Sequence, residues 1–293
     1  MYRQVVSAIH AAMESITPIV VYRSGTEPDK GRYPDCTVFA EDEGKGKKYA
    51  LHKAVSGAES EYVWLLDDDV NGARECWERL SETALDNADM YILPLCMTDG
   101  GGRLIERLQQ LEYAGIQTLT MLTAEKGRAV MCSGANLLVK RRCWLESWQD
   151  LHTEIPSGDD MFLLESFKRR GLKIETLPLT VTIEPQPTLR GLFRQRMRWA
   201  GKAPSYTDKD IRRCGMAVVL LNLFSVLVPP VWLLKLLMEL SILRRACQRY
   251  PFTIIRHSFF HAILLSLLYP WYMLVCLLGG IAGRHRTTDS NGF

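Results

Sequence analysis

A chain of 293 residues with 47 % hydrophobic content has room for one large α/β domain and a further region beyond it. Its 36 basic and 33 acidic residues leave a formal net charge of +3, too small an excess for a dedicated nucleic-acid binder. The eight cysteines, Cys36, Cys76, Cys96, Cys132, Cys143, Cys214, Cys247 and Cys276, make no CxxC pair and no zinc-ligand spacing, so they read as reduced thiols and the catalytic part as cytoplasmic.

The segment Met1 to Ser15 has one early arginine and no apolar core run, so no signal peptide is expected. Val5, Ile9 and Met13 recur every four residues, which predicts an amphipathic helix. Residues 16–22 are a β-branched run and predict a buried strand. Gly25, Pro28, Gly31 and Pro34 mark the next stretch as a loop, and residues 37–40 suggest a short strand. A charged, glycine-bearing stretch then leads into a helix through about residue 60. Residues 61–66 are apolar without alternation, which predicts a parallel strand covered on both faces, ending in Asp67-Asp68-Asp69. A helix over 73–87, a strand over 89–95 and a helix over 103–124 follow. Small and β-branched residues mix around Ser133-Gly134-Ala135-Asn136; residues 159–170 read as helix and 172–183 as one or two strands. The alternation predicts an α/β fold with an open, mostly parallel sheet and helices on both faces.

Composition changes after Arg213, which divides the chain into a domain over 1–213 and a membrane region over 214–293. Two long apolar segments, 216–243 and 258–282, each have the length to span a bilayer. Basic residues flank both and also lie between them, so two simple spans cannot all obey the positive-inside tendency. Re-entrant or interfacial hairpins at Pro229-Pro230 and Pro270 would resolve this.

Three constellations carry chemistry. Asp67-Asp68-Asp69 ends a buried strand, where open α/β sheets bind ligands, and alternate carboxylates there can hold Mg²⁺ or Mn²⁺ against a diphosphate. An acidic turn or helix cap is the plainer reading. Asp159-Asp160 opens a helix, so it supplies either a general base or a favourable charge on the helix dipole. In Gln195-Arg196-Met197-Arg198-Trp199, Arg198 offers a phosphate-binding fork and Trp199 a flat face for a sugar; the same residues suit a basic, aromatic membrane-interface anchor.

Taken in order, these constellations resemble family 2 glycosyltransferases of the GT-A fold, closest to the membrane-bound branch that includes cellulose and hyaluronan synthases. Gly46-Lys47-Lys48-Tyr49-Ala50-Leu51-His52 is similar to the family's Gly-Lys-x-x-Ala-Leu-Asn, with histidine in place of asparagine. Ser133-Gly134-Ala135-Asn136 is similar to its small-residue loop near the donor sugar. The resemblance covers about residues 16–202. It implies an inverting, metal-dependent hexosyltransferase that uses a nucleotide-sugar, a UDP-sugar being the expected donor, on a lipid-linked or polysaccharide acceptor at the membrane. It also implies that Lys47 and Asp67 lie by the nucleotide, Asp67 and Asp69 by the metal, and Gly134 by the donor sugar. Asp160 would be the base, Asp159 would shape the acceptor pocket, and Gln195, Arg198 and Trp199 would bound the diphosphate and acceptor.

Two departures qualify the resemblance. The family's usual first strand, with its Pro-x-x-Asn-like turn, is expected to be missing, and the next strand reads Val20-Val21-Tyr22-Arg23-Ser24-Gly25 where an aspartate pair is usual. The alternative expectation is therefore a truncated or catalytically inactive glycosyltransferase-like subunit. A metal-dependent phosphohydrolase fits less well, because His10, His52, His152, His257, His261 and His285 do not cluster with the acidic triplet. Two spans are too few for a wide polymer channel, so export would need an oligomer or partner subunits.

Overall fold

A computed structural model describes residues 3–9, 16–29, 31, 36, 38–98, 100–249 and 258–290. It forms two compact units, the first made of residues 1–95 and 121–182, the second of residues 96–120 and 183–293. Each draws on two separate stretches of chain, unlike the compositional regions on either side of Arg213.

The first unit is built on a seven-stranded sheet. Its strands are β1 (Arg3–Ile9), β2 (Ile16–Tyr22), β3 (Val38–Glu41), β4 (Tyr62–Asp67), β5 (Met90–Ile92), β7 (Asn136–Lys140) and β8 (Ile174–Thr176), in the order β3-β2-β1-β4-β7-β5-β8. Strands β6 (Leu95–Met97) and β9 (Val181–Ile183) form a separate two-stranded sheet. Around the large sheet run α1 (Lys47–Gly57), α2 (Ala73–Ser81), α4 (Arg141–Glu146) and α5 (Asp159–Arg169). The core is aliphatic and aromatic: Val20, Val21, Leu51, Val63, Trp64, Leu65, Tyr91, Leu138 and Phe162 are all buried.

Two expectations about the sheet are corrected. The segment read as an amphipathic helix is strand β1, which lies between β2 and β4 and pairs antiparallel with both, Val5 opposite Val20 on one side and Leu66 on the other. Residues spaced every four are equally compatible with a β-branched strand, and the deciding factor is long-range: β1 satisfies the inner edges of two neighbours that would otherwise be unpaired. The sheet is also mixed rather than mostly parallel. Only β2–β3 and β5–β8 are parallel pairs, while β1–β2, β1–β4, β4–β7 and β5–β7 are antiparallel. Six residues separate β1 from β2, too short a link for a parallel crossover. Strand β4 is buried on both faces as expected, yet both its neighbours run against it. Absence of alternation reports cover on both faces and says nothing about direction.

Strands β2, β3, β4, β5 and β8 nevertheless share one direction. Their carboxyl ends therefore lie along one rim of the sheet, and Asp67 is the last residue of β4 on that rim.

The second unit contains most of α3 (Leu104–Ala124), then α6 (Leu189–Ala200), α7 (Lys209–Leu227), α8 (Pro229–Arg249) and α9 (Ser258–Ser290). The apolar run 216–243 is two helices, parted at Val228 where Pro229 denies the chain a further helical hydrogen bond. Helix α9 continues through Pro270, so no hairpin forms there. Among the described residues one stretch, Phe259–Gly283, is long and apolar enough to cross a membrane. Helix α8 carries Lys235 and Glu239 in its middle. The buried Lys235 Nζ donates to the backbone oxygen and the hydroxyl of Ser266 on α9, both at 2.9 Å, and pairs with Glu239 at 2.9 Å.

Candidate functional site

The rim of the first unit gathers the acidic residues singled out in the sequence. Asp67 closes β4, and Asp68 and Asp69 form the turn after it. Asp159 and Asp160 are the first two residues of α5. The helix cap is Gly158, in the left-handed region at φ 85°, with no side-chain cap bond, so neither aspartate serves as the cap. Both lie in the first turn, where the helix dipole favours negative charge.

Lys47, the first residue of α1, joins the two acidic groups. Its Nζ is 3.3 Å from Asp67 Oδ1 and 3.7 Å from Asp159 Oδ2. The Lys47 and Asp159 side chains are 17 % and 12 % exposed, and Asp67 keeps 37 % of its side-chain surface open. Asp67 is thus crowded by protein on most sides and open on one. Burial pushes its carboxyl above the usual range, Lys47 pulls it down, and Asp159 and Asp69 add to the rise. Burial works against the Lys47 charge as well, but Asp159, Asp67 and Asp160 together outweigh it and hold the ammonium protonated. Lys47 is thus bridged by two carboxylates, Asp67 and Asp159, with Asp160 close enough to add to the field that holds its charge.

Asp160 is held by backbone. Its Oδ2 accepts from the Gly134 N–H at 3.3 Å and its Oδ1 from the Met161 N–H at 2.8 Å. The small-residue loop 133–135 is thus tied to the acidic pair, and Cys132 beside it donates its thiol to the Asp160 backbone oxygen at 3.2 Å. Burial, with Asp160 and Asp159 nearby, pushes that thiol well above its ordinary range, so Cys132 is a neutral packing group.

Asn136, expected near the donor sugar, has another role. It is wholly buried, accepts from Trp64 Nε1 at 2.9 Å, and donates to the oxygens of Pro94 and Leu179 at 3.0 and 3.1 Å. Every polar atom of its amide is occupied in joining chain segments. Lys48, adjacent to Lys47, is likewise structural: its buried Nζ donates to the oxygens of Leu151 and His152 at 2.6 and 2.7 Å, fixing the approach to α5. His52 stacks on Trp148 at 4.1 Å and on Trp144 at 5.8 Å, and burial lowers its pKa, so the ring is neutral.

Lys47, Asp67, Asp159, Asp160 and Gly134 are therefore brought together in the first unit. Gln195, Arg198 and Trp199 lie on α6 in the second. There Arg196, to which the sequence alone gave no role, joins Gln195 and Trp199 to helix α3. Its Nη2 is 2.8 Å from Glu112 Oε2 on α3, its Nη1 donates to Gln195 Oε1 at 2.5 Å, and its guanidinium lies 4.2 Å from the centre of the Trp199 ring. Arg198 is exposed. Helix α3 carries two acidic residues, Glu106 in its first turn and Glu112 nearer its middle, and nothing in the sequence marked the second as the partner of Arg196.

Among the described residues, no group of three His, Cys, Asp or Glu side chains converges to hold a metal ion. The rim is that of an α/β protein with a lysine-bridged cluster of carboxylates at its strand ends. The chain belongs to glycosyltransferase like family 2, whose profile matches residues 3–202, from β1 through the end of α6. A search of curated proteins finds no match. Family membership makes the chain a glycosyltransferase and implies a nucleotide-sugar donor and a glycan acceptor; members often use a divalent metal.

Proposed function

We propose that this chain transfers a sugar, with inversion, from a UDP-sugar to a glycan or lipid-linked acceptor at a membrane surface, with Asp160 as general base. The observation that carries the reading is the Lys47–Asp67–Asp159 bridge beside Asp160, whose carboxylate is aimed by two backbone N–H groups. The acceptor hydroxyl passes its proton to Asp160 as its oxygen bonds to the anomeric carbon. The bond from that carbon to the diphosphate oxygen breaks, and its electron pair leaves with the nucleoside diphosphate. Inversion follows from this single displacement.

Mg²⁺ or Mn²⁺ fits the donor set. Asp67 and Asp69 offer oxygen ligands only, and these ions complete their shells with phosphate and water rather than with an all-protein cage. When bound, such an ion neutralises charge on the leaving diphosphate. Lys47 draws the Asp67 carboxyl back toward its ionised form and holds Asp159 in place. Gln195, Arg198 and Trp199 bind the diphosphate and the acceptor sugar. Membrane attachment is supported by the Phe259–Gly283 stretch and by Leu227, Leu233, Leu234, Leu237, Phe260 and Trp271, all exposed apolar residues on α7, α8 and α9.

The test is transfer of labelled sugar from a panel of nucleotide-sugars, with Mn²⁺ and with chelator, beside the Asp160→Asn variant. Transfer should need the ion and fall by roughly 100-fold or more in the variant, the usual scale of a positioned base. Near-normal turnover of Asp160→Asn would reject the assignment.

A further inference from the structure

Within the second unit, α3 is fastened to the segment that leads into α6. Gln109 and Gln186 exchange two bonds, each of 2.9 Å, and Arg103 Nη2 donates to the Pro187 oxygen at 2.9 Å. About one turn further along α3 from Gln109, Glu112 meets Arg196. Both are almost fully buried, and they contact at two points, Nη2 to Oε2 at 2.8 Å and Nε to Oε1 at 3.4 Å. A planar guanidinium gripped at two points has its remaining edge and both faces fixed in space. The Gln195 amide oxygen takes that edge, and the Trp199 indole lies along the guanidinium. One arginine therefore holds two of the three α6 side chains that were proposed to bind substrate, and its own orientation is set by a carboxylate on a different helix.

We propose that Glu112, acting through Arg196, is a positioning residue that sets the side chains of Gln195 and Trp199 for the diphosphate and acceptor sugar. This rests on the reading of Gln195 and Trp199 given under Proposed function. A purely structural ion pair would make a different prediction. Buried ion pairs are commonly replaceable by apolar residues of similar volume without loss of stability. A structural role is therefore restored by an apolar pair, whereas a positioning role is not, because neither apolar side chain can hold the Gln195 oxygen or fix the indole.

The experiment compares the full-length protein in lipid nanodiscs with three variants: Glu112→Leu/Arg196→Met, Arg196→Lys and Trp199→Ala. Arg196→Lys keeps a cation for Glu112 but loses the fork, so it serves if the apolar pair does not fold. The measurements are thermal unfolding, KM and kcat with the UDP-sugar that supports transfer, UDP binding, and acrylamide quenching of Trp199. The last is isolated as the difference from the same variant carrying Trp199→Phe.

The expected result is a folded protein in which KM rises, kcat/KM falls by up to about 100-fold as for a misplaced group, and Trp199 becomes more open to quencher. The pH dependence of kcat should be unmoved, because Asp160 is untouched. Wild-type kinetics and quenching in a folded pair variant, with Trp199→Ala impaired, would overturn the positioning role and leave the reading of α6 intact. Unimpaired Trp199→Ala would overturn that reading and the inference with it.

Discussion

Replacing Asn136 by alanine tests how the loop behind the proposed base is held. Its amide satisfies three buried partners, the Trp64 indole N–H and the Pro94 and Leu179 oxygens, at 2.9, 3.0 and 3.1 Å. Asn136 is 0 % exposed, so none of the three gains water when the amide is removed. A buried polar group left without a partner costs about 1–3 kcal/mol, so three of them set a loss of about 3 kcal/mol at the low end. Against a total stability of about 5–15 kcal/mol this is a large share, and it should lower the melting midpoint by roughly 10 °C. Asn136→Leu should be no better, since an apolar side chain fills space but satisfies none of the three groups. Urea unfolding of wild type and both variants measures the differences directly. Because β7 begins at Asn136, directly after the loop whose Gly134 N–H holds Asp160, turnover should fall as well. A loss below about 1 kcal/mol in Asn136→Ala, or a clear rescue by leucine, would refute the reasoning from unsatisfied hydrogen bonds.

Other consequences are as direct. Lys47→Met removes the ammonium that bridges Asp67 and Asp159. Asp67 already titrates above its ordinary value, so the folded state binds more protons than the unfolded one, and stability falls as pH rises through that window; the variant should show a steeper fall above about pH 4, read from urea midpoints across a pH series. A profile matching wild type would contradict the charge assignment. His52 has the opposite sign: its pKa is lowered by burial, so its contribution is present above the ordinary histidine value and is lost as pH falls below about 6.5. His52→Gln should flatten that acid-side slope, and an unchanged slope would assign it elsewhere. Gly280→Val places a Cβ 2.5 Å from the Met197 oxygen and 2.7 Å from the Gly201 nitrogen, where α6 lies against α9. The substitution should cost about 1–3 kcal/mol by overpacking and reduce transfer. Gly283→Ala, with nothing within 4 Å, is the control that should leave both intact.

The sequence by itself determined what depends on local pattern. The apolar run before Asp67 identified a strand covered on both faces, and the helical patterns located α3 and α5 within a residue or two. The acidic residues at the ends of these elements were legible for the same reason, since an element's end places its last side chain at the rim. What the sequence left open was which segments meet. Residues 3–9 suit a helix or a strand, and only the open edges of β2 and β4 choose between them. Strand direction depends on where the chain returns, so burial pattern alone misread the sheet as mostly parallel. Asn136 and Arg196 looked like members of a loop and a motif; their partners lie 72 and 84 positions away in the chain, and only the folded structure brings those groups together. Periodicity records how each residue faces its own element, whereas a buried amide or guanidinium takes its role from the distant groups that close around it.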